Sequence, residues 1–281
     1  MSLDDAALNH LIAAVRRAGQ TEILPRFRNL ADDEMHTKSG PDDLVTIADT
    51  RAEAMIAAAA RDALPDALIV GEEAVAEDPI LLEQLKTADC AVIIDPVDGT
   101  SNFAHGLSVF GTILSVVLNG QTEFGLLYDP LCDDWVMARR GQGAAFVTES
   151  GQRTQLSARN PVQAVDADGY VCLQLFPKDQ QAELAAAYPS FNSVSNLRCS
   201  CHEYRMIAFG HADFILAAHA KPWDHAAGAL ILREIGGGVF FNHWAPYAPT
   251  SYSGPLIALA NAGPTTREMI ETQFSGLVQA G

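Results

Sequence analysis

An α+β half followed by an α/β half is the fold class that this 281-residue sequence predicts. Three observations point to it. Short apolar runs of strand length cluster in the middle of the first half. Strands and helices alternate in the second half. Hydrophobic residues make up 48% of the chain, enough for a sizeable core. The texture changes near Glu149-Ser150-Gly151-Gln152 without a repeat, a low-complexity tract or a flexible linker. The expected division is therefore 1–150 and 151–281, packed as one unit.

The elements follow in order. Residues 4–24 set Leu8, Leu11, Ile12, Val15 and Ala18 on one helical face, and Pro25 ends or kinks that helix. Residues 31–43, polar and carrying Gly40-Pro41, read as a loop or turn. Residues 46–64, rich in Ala, Met and Ile, read as a second helix. Residues 67–70 and 91–94 read as buried strands, the second stopped by Asp95-Pro96. Residues 109–119 and 123–128 form a predicted hairpin joined at Asn119-Gly120, and 135–139 and 143–148 continue its sheet. In the second half, 164–173, 214–218 and 257–260 read as strands. Residues 180–187, 225–235 and 265–274 read as helices, the middle one closed by Gly236-Gly237-Gly238.

Charge narrows the function classes. The chain has 18 Lys plus Arg against 35 Asp plus Glu, a formal net charge of −17. Such a surface repels polyphosphate chains and lacks polybasic segments, so neither nucleic acid nor membrane is an expected partner. The sequence opens MSLDDAALNH, with no basic and apolar leader pattern, and its apolar stretches fall short of the roughly 20 residues a bilayer span needs. The five cysteines are odd in number and irregular in spacing, as for free thiols, and a cytoplasmic location is expected. Cys199-Ser200-Cys201-His202 reads either as a soft-metal site or as small side chains in a packed segment. A protein this acidic needs a local positive source to bind an anion, and a metal ion is the obvious one.

Three sets of acids sit flush against apolar runs. They are Glu72-Glu73 after Leu68-Ile69-Val70, Asp95 and Asp98 in Ile93-Ile94-Asp95-Pro96-Val97-Asp98-Gly99-Thr100, and Asp224 in Pro222-Trp223-Asp224-His225. Taken singly they read as a solvated turn, an ordinary turn and a helix N-cap. Brought together, buried carboxylates repel one another, and a divalent cation removes that cost. All are hard oxygen donors, which suits Mg²⁺ or Mn²⁺ over zinc. Asp95-Pro96-Val97-Asp98 reads as a compact chelating turn in which the Val97 carbonyl can join the carboxylates. Gly99-Thr100-Ser101-Asn102 then opens a helix whose free N–H groups suit a phosphate. Metal carboxylates beside a phosphate cradle imply phosphoryl hydrolysis.

With those residues in place, the sequence resembles the inositol monophosphatase family of Mg²⁺-dependent, lithium-sensitive phosphatases, related to fructose-1,6-bisphosphatases. The matching pieces are Gly71-Glu72-Glu73, Asp95 to Phe103, and Trp223-Asp224-His225-Ala226-Ala227-Gly228, with Asp43-Leu44-Val45-Thr46-Ile47-Ala48-Asp49 and Lys38 upstream. The resemblance implies a layered α-β-α-β-α sandwich of the sugar-phosphatase type, commonly a homodimer. Residues 1–150 would then carry most metal ligands, and 151–281 would contribute Asp224 and substrate contacts. It implies Glu72, Asp95 and the Val97 carbonyl on a first metal, Asp95, Asp98 and Asp224 on a second, and a weaker third metal near Glu72. Mg²⁺ is the implied ion, two or three per site, with Mn²⁺ a substitute and Li⁺ an inhibitor. Thr100, polarised by Asp49, would help orient and deprotonate the attacking water, with Glu72 also catalytic through its metal. Gly99, Thr100, Ser200, Arg198 and Asp224 would face phosphate and substrate.

The leaving-group side departs from the family pattern. Inositol-specific members carry a small G-S/T-A-A segment where this chain, aligned back from Ala208-Phe209-Gly210, reads Arg198-Cys199-Ser200-Cys201. They also carry a ring-binding glutamate seven residues before the metal-binding Asp, where this chain has Ala217. Arg198, Arg205, His202 and His219 either face the leaving group or pair with acids such as Glu203. The expected activity is a phosphomonoesterase acting on a small phosphorylated polyol, such as an inositol monophosphate, by metal-activated water. The alternatives are a histidinol-phosphate or nucleotide 3′-phosphatase and, in a different class, a non-catalytic binding protein on the same fold.

Overall fold

In the computed structural model the described residues are 3–37 and 44–278. The predicted turn at Gly40-Pro41 and the motif residues Lys38 and Asp43 lie outside them. In the first half, helix α1 (Asp5–Ala18) continues through a π turn and a 3₁₀ turn holding Pro25. Strand β1 (Met35–Thr37) pairs antiparallel with β2 (Leu44–Thr46), and helix α2 (Ile47–Ala63) follows. Then come β3 (Leu68–Gly71), α3 (Glu72–Glu77), α4 (Ile80–Leu85), β4 (Cys90–Asp98) and α5 (Thr100–Ala104). The meander β5 (Gly111–Leu118), β6 (Gln121–Asp129), β7 (Asp134–Arg139), β8 (Ala144–Val147) and β9 (Arg153–Gln155) completes a seven-stranded sheet in the order β3 to β9. The second half runs β10 (Asp168–Val171), α6 (Lys178–Ala186), β11 (Ser193–Ser195), α7 (Ser200–Ala208), β12 (Phe214–Ala217), α8 (Pro222–Glu234), β13 (Gly238–Phe241), β14 (Leu256–Leu259) and α9 (Pro264–Gln273). Its sheet has the order β11-β10-β12-β14-β13.

The layers follow from where the apolar side chains go. Leu11 and Val15 of α1 and Ile56 and Ala60 of α2 bury against Val92, Ile94, Leu114, Val116 and Phe124 on one face of the large sheet. The other face presents Ile113, Leu127 and Val136 to Tyr204 and Ile207 of α7 and Leu230 and Ile231 of α8. The same helices cover Ile215, Val239 and Ala258 of the second sheet. Leu184, Met269 and Ile270 close its outer face against Phe214, Leu216 and Ile257. The result is the expected five-layer α-β-α-β-α sandwich. β4 is buried on both faces, so it reads as a continuous apolar run rather than an alternating one. Helix α8 lies so close to the large sheet that a Cβ at Gly125 would stand 2.8 Å from Ala227 Cα.

Several sequence expectations need correction. β4 does not stop at Asp95-Pro96; it runs on to Asp98, with its register to β5 broken between Asp95 and Asp98. Pro96 has no N–H to donate, and an irregular ladder accommodates that. The supposed chelating turn is therefore an irregular strand end. Residues 35–37, expected in a loop, form β1; all three are exposed, so hydropathy carries no strand signal there. The predicted strand 164–173 shrinks to β10 between two 3₁₀ turns whose Ala164 and Leu173 also pack on the outer core, which lengthens the apolar run. The sequence reading also passed over β2, α3, α4, α7, β9, β11 and β13. Among the described residues no helix is long and apolar enough to cross a membrane. All five cysteines are free thiols.

Candidate active site

A cavity of about 530 Å³ opens between the C-terminal end of β4, the start of α7 and the start of α8. Parallel β3 and β4 deliver Glu72 and Asp95 to it from neighbouring positions, because each chain reaches the same edge of the sheet. Asp224 arrives on the first turn of α8, whose N-cap is Lys221. Asp224 is thus inside the helix, and its reading as an N-cap is corrected; Pro222 starts the helix earlier than apolar periodicity suggests.

Asp95, Asp98 and Asp224 each present a carboxylate oxygen within 4.8 Å of the others. Glu72 lines the same cavity. Asp95 is 1% exposed, and its Oδ1 has no hydrogen-bond partner within the protein. Burial, then the charges of Glu72, Asp98 and Asp224, holds the Asp95 carboxyl well above the usual range. Burial and then Asp224 push Asp98 up to about 7. Converging carboxylates with an orphaned oxygen and raised pKa values fit a hard divalent cation, which would supply the missing counter-charge. Among the described residues this is the cluster of three or more acids, histidines and cysteines close enough to hold a metal.

Asp98 also ties the end of β4 to the start of α7. Its Oδ2 accepts a very short hydrogen bond from Cys201 N and one from Cys199 Sγ at 3.2 Å. Burial and then the Asp98 charge push the Cys199 thiol well up, so it stays a donor. Cys201 Sγ faces Tyr128 O at 3.6 Å and His202 Nε2 faces Phe110 O at 3.0 Å. The three side chains point to separate partners, which removes the soft-metal reading and leaves the packed-segment one.

Thr100 Oγ1 lies 3.0 Å from Asp49 Oδ1 and 2.8 Å from Val97 O, and its single proton serves one at a time. Asp49 is fully buried and does not line the cavity. Its Oδ2 accepts from Thr46 N at 2.8 Å and Thr46 Oγ1 at 2.6 Å, the reciprocal cap that starts α2. Burial pushes its carboxyl up to about 6 against these hydrogen bonds. Gly99 takes φ +85°, and a Cβ there would stand 2.9 Å from Val109 O and 3.2 Å from Cys199 Cβ. That left-handed position sets Thr100 at the cavity floor, and glycine fits it without strain.

The leaving-group side separates the four basic candidates. Arg198 and His219 line the cavity. Arg205 is buried, with Nη1 donating to Leu127 O at 3.0 Å and Nη2 to Asp134 Oδ1, so its ion-pair alternative holds. His202 turns away, as described. Glu203 Oε1 accepts from Leu197 N at 3.0 Å, and burial pushes its carboxyl up to about 8. Ser200 lines the cavity at the start of α7. The sequence reading missed Lys221 in the cavity wall, although Lys221-Pro222-Trp223 directly precedes the assigned Asp224. It also missed Glu53, whose Oε2 and Oε1 accept from Glu73 N and Ala74 N, each at 2.9 Å, and so seat the turn that carries Glu72. The acid at the i+4 position from Asp49 was the available signal.

The sequence profile of the inositol monophosphatase family matches residues 4–270. Nus factor SuhB of Pasteurella multocida (strain Pm70) is 32% identical over 264 residues, covering 90% of this chain and 91% of that protein. The crystal structure of Thermotoga maritima IMPase superposes with a TM-score of 0.76 at 24% identity, covering 95% of this chain and 98% of the other. The inositol monophosphate-bound structure of SaIMPase-II superposes with a TM-score of 0.75 at 19% identity, covering 96% and 97%. At these identities the two structures show a common fold.

Proposed function

Because this chain belongs to the inositol monophosphatase family, we propose that it is a Mg²⁺-dependent phosphomonoesterase acting on a small phosphorylated metabolite. The observation that carries the reading is the convergence of Asp95, Asp98 and Asp224 within 4.8 Å in a cavity, with Asp95 Oδ1 unsatisfied. Asp95, Asp98 and Asp224, with Glu72 and the Val97 carbonyl, would hold the ions. When bound, divalent cations supply a lowered pKa for water and charge neutralisation on phosphoryl oxygens.

The chain's own groups do the rest. The backbone N–H groups of Gly99 and Thr100 would hold the phosphate, and Ser200 lines the same cavity. Thr100 Oγ1 accepts a proton from the attacking water while passing its own to Asp49 Oδ1, 3.0 Å away. A carboxyl with its pKa raised to about 6 is poised for that exchange near neutrality. Water adds to phosphorus and the ester P–O bond breaks; the leaving oxygen takes a proton from solvent, and Asp49 gives its proton back to solvent through Thr100, which restores both groups. The products are an alcohol and inorganic phosphate. Glu53 keeps Glu72 in register by binding the N–H groups beside it.

Phosphate release with Mg²⁺, across inositol, histidinol, sugar and 3′-nucleotide phosphates, tests the reading. Mg²⁺-dependent release supports it. Negligible release from a folded protein whose melting temperature Mg²⁺ raises would overturn it. Li⁺ inhibition and a dimeric mass in solution are expected on the same family grounds. A second reading, a binding protein on this fold, is favoured by the name Nus factor that the relatives carry. Turnover lost in Asp95→Asn separates the two.

A further inference from the structure

The cavity holds more charge than phosphoryl hydrolysis uses. Besides Glu72, Asp95, Asp98 and Asp224, the charged side chains lining it among the described residues are Glu203, Arg198 and Lys221. Glu203 is turned to the Leu197 N–H. Arg198 and Lys221 stand exposed on the rim, from the loop before α7 and the turn before α8, with His219 beside Lys221 in sequence. Both cations make further contacts within the protein. A guanidinium has five donors and an ammonium three, so one neighbour does not exhaust either.

The loop carrying Arg198 is built to hold its shape. Arg198 N donates to Asn196 Oδ1 at 2.8 Å, and Leu197 N donates to Glu203 Oε1 at 3.0 Å. Leu197 O accepts from Asn102 Nδ2 at 2.8 Å, and Asn102 also donates to Val109 O. Asn102 sits two residues after Thr100 on α5. The arginine is therefore fixed relative to the residue expected to act on water. Its φ is +53°, a conformation that favours glycine. A side chain held on such backbone at a cavity wall points to a role for the side chain. Ala217 offers the same wall no carboxylate for sugar hydroxyls. Arg198 and Lys221 are the Arg and Lys side chains that line the cavity among the described residues, and they offset part of its carboxylate charge.

We propose that the substrate's leaving group carries a second anionic group, a carboxylate or another phosphate, held by Arg198 with help from Lys221. This rests on the phosphatase reading and names its substrate class. The planar guanidinium binds either group through two parallel N–H donors.

The test compares matched substrates with Mg²⁺ present: glucose 1-phosphate against glucose 1,6-bisphosphate, and glucose 6-phosphate against 6-phosphogluconate. The doubly anionic member of at least one pair should show kcat/KM higher by about 10- to 100-fold, the size of a charge-assisted hydrogen bond. The favoured pair tells phosphate from carboxylate. Arg198→Gly suits the backbone, so it should fold with an unchanged or higher Tm while most of that preference disappears through KM. Lys221→Gln should narrow it by about 2- to 5-fold, as an exposed single-point contact. Equal kcat/KM within both pairs, or a preference that survives Arg198→Gly, would overturn the proposal and leave the phosphatase reading intact. No release from any phosphomonoester, by a folded protein that Mg²⁺ stabilises, would overturn both.

Discussion

The two walls of the cavity are built on opposite principles. The wall from Asp95 to Thr100 is made of groups at odds with their surroundings. Asp95 and Asp98 are buried, mutually repelling and raised in pKa. In the wall from Asn196 to Glu203 the Leu197, Arg198 and Cys201 backbone donors each have a side-chain acceptor, and its one carboxyl, Glu203, is raised by burial to about 8. The first wall is incomplete without a cation. The second has those backbone donors paired, in part by Asp98 of the first, and carries Arg198 exposed at the cavity rim. Under the proposed function, electrostatic frustration would mark the chemistry and pre-organisation the recognition.

Asp95→Asn attacks the first wall most directly. It should lower kcat by more than about 1,000-fold, since several kcal/mol of charge stabilisation is lost. In chelator it should melt no lower than the unaltered protein, because a repelling charge is gone, and Mg²⁺ should no longer raise its Tm. A variant that keeps full turnover would break the comparison.

Gly99→Ala strikes the junction of the two walls. Its positive φ and the 2.9 Å approach of Val109 O should cost about 1–3 kcal/mol in stability. Phosphate release should fall with it as Thr100 shifts. Chemical denaturation and a steady-state assay would show both, and an unchanged denaturation midpoint would count against the geometry.

Acidity sharpens the contrast. Asp49 and Asp98 are raised from 3.8 to about 6 and about 7. Between the unfolded value and those pKa values, the folded chain binds more protons than the unfolded one. Stability of the metal-free protein should therefore fall as pH rises from about 4 to about 7. Cation binding needs the deprotonated carboxylates, so the Tm increment from Mg²⁺ should grow over the same window. Melting curves with chelator and with Mg²⁺, at about pH 5 and about pH 8, measure both slopes. A chelated protein more stable at the higher pH would contradict the frustrated wall.

The smallest effect belongs to the second wall. Arg198→Gly relieves a left-handed residue and should raise stability by about 1 kcal/mol. A stability loss of that size would mean that the guanidinium holds the fold together.

Much of the first wall was legible in the sequence, because its residues are close along the chain. Asp95, Val97, Asp98, Gly99 and Thr100 span six positions, and acids beside apolar runs announce burial at odds with charge. The layered fold was legible from the order of apolar runs. The irregular end of β4 was not, since Pro96 reads equally as a turn. β1 was hidden by its exposure on both faces. The second wall was half legible. Arg198 and Ser200 were named, but Arg205 and His202 look as available as Arg198 in the sequence. Only packing sends Arg205 to Asp134 and His202 to Phe110.

By itself, the sequence determined the donor set, the hydrophobic order of the layers and the sign of the global charge, because these are properties of composition and local spacing. Tertiary structure alone decided that α8 brings Asp224 beside Asp95, that Asp98 caps α7, and that Arg198 stays in the cavity while Arg205 leaves it. Those outcomes join residues about 100 positions apart. Close packing between sheet and helix fixes such distances, and no local pattern encodes them.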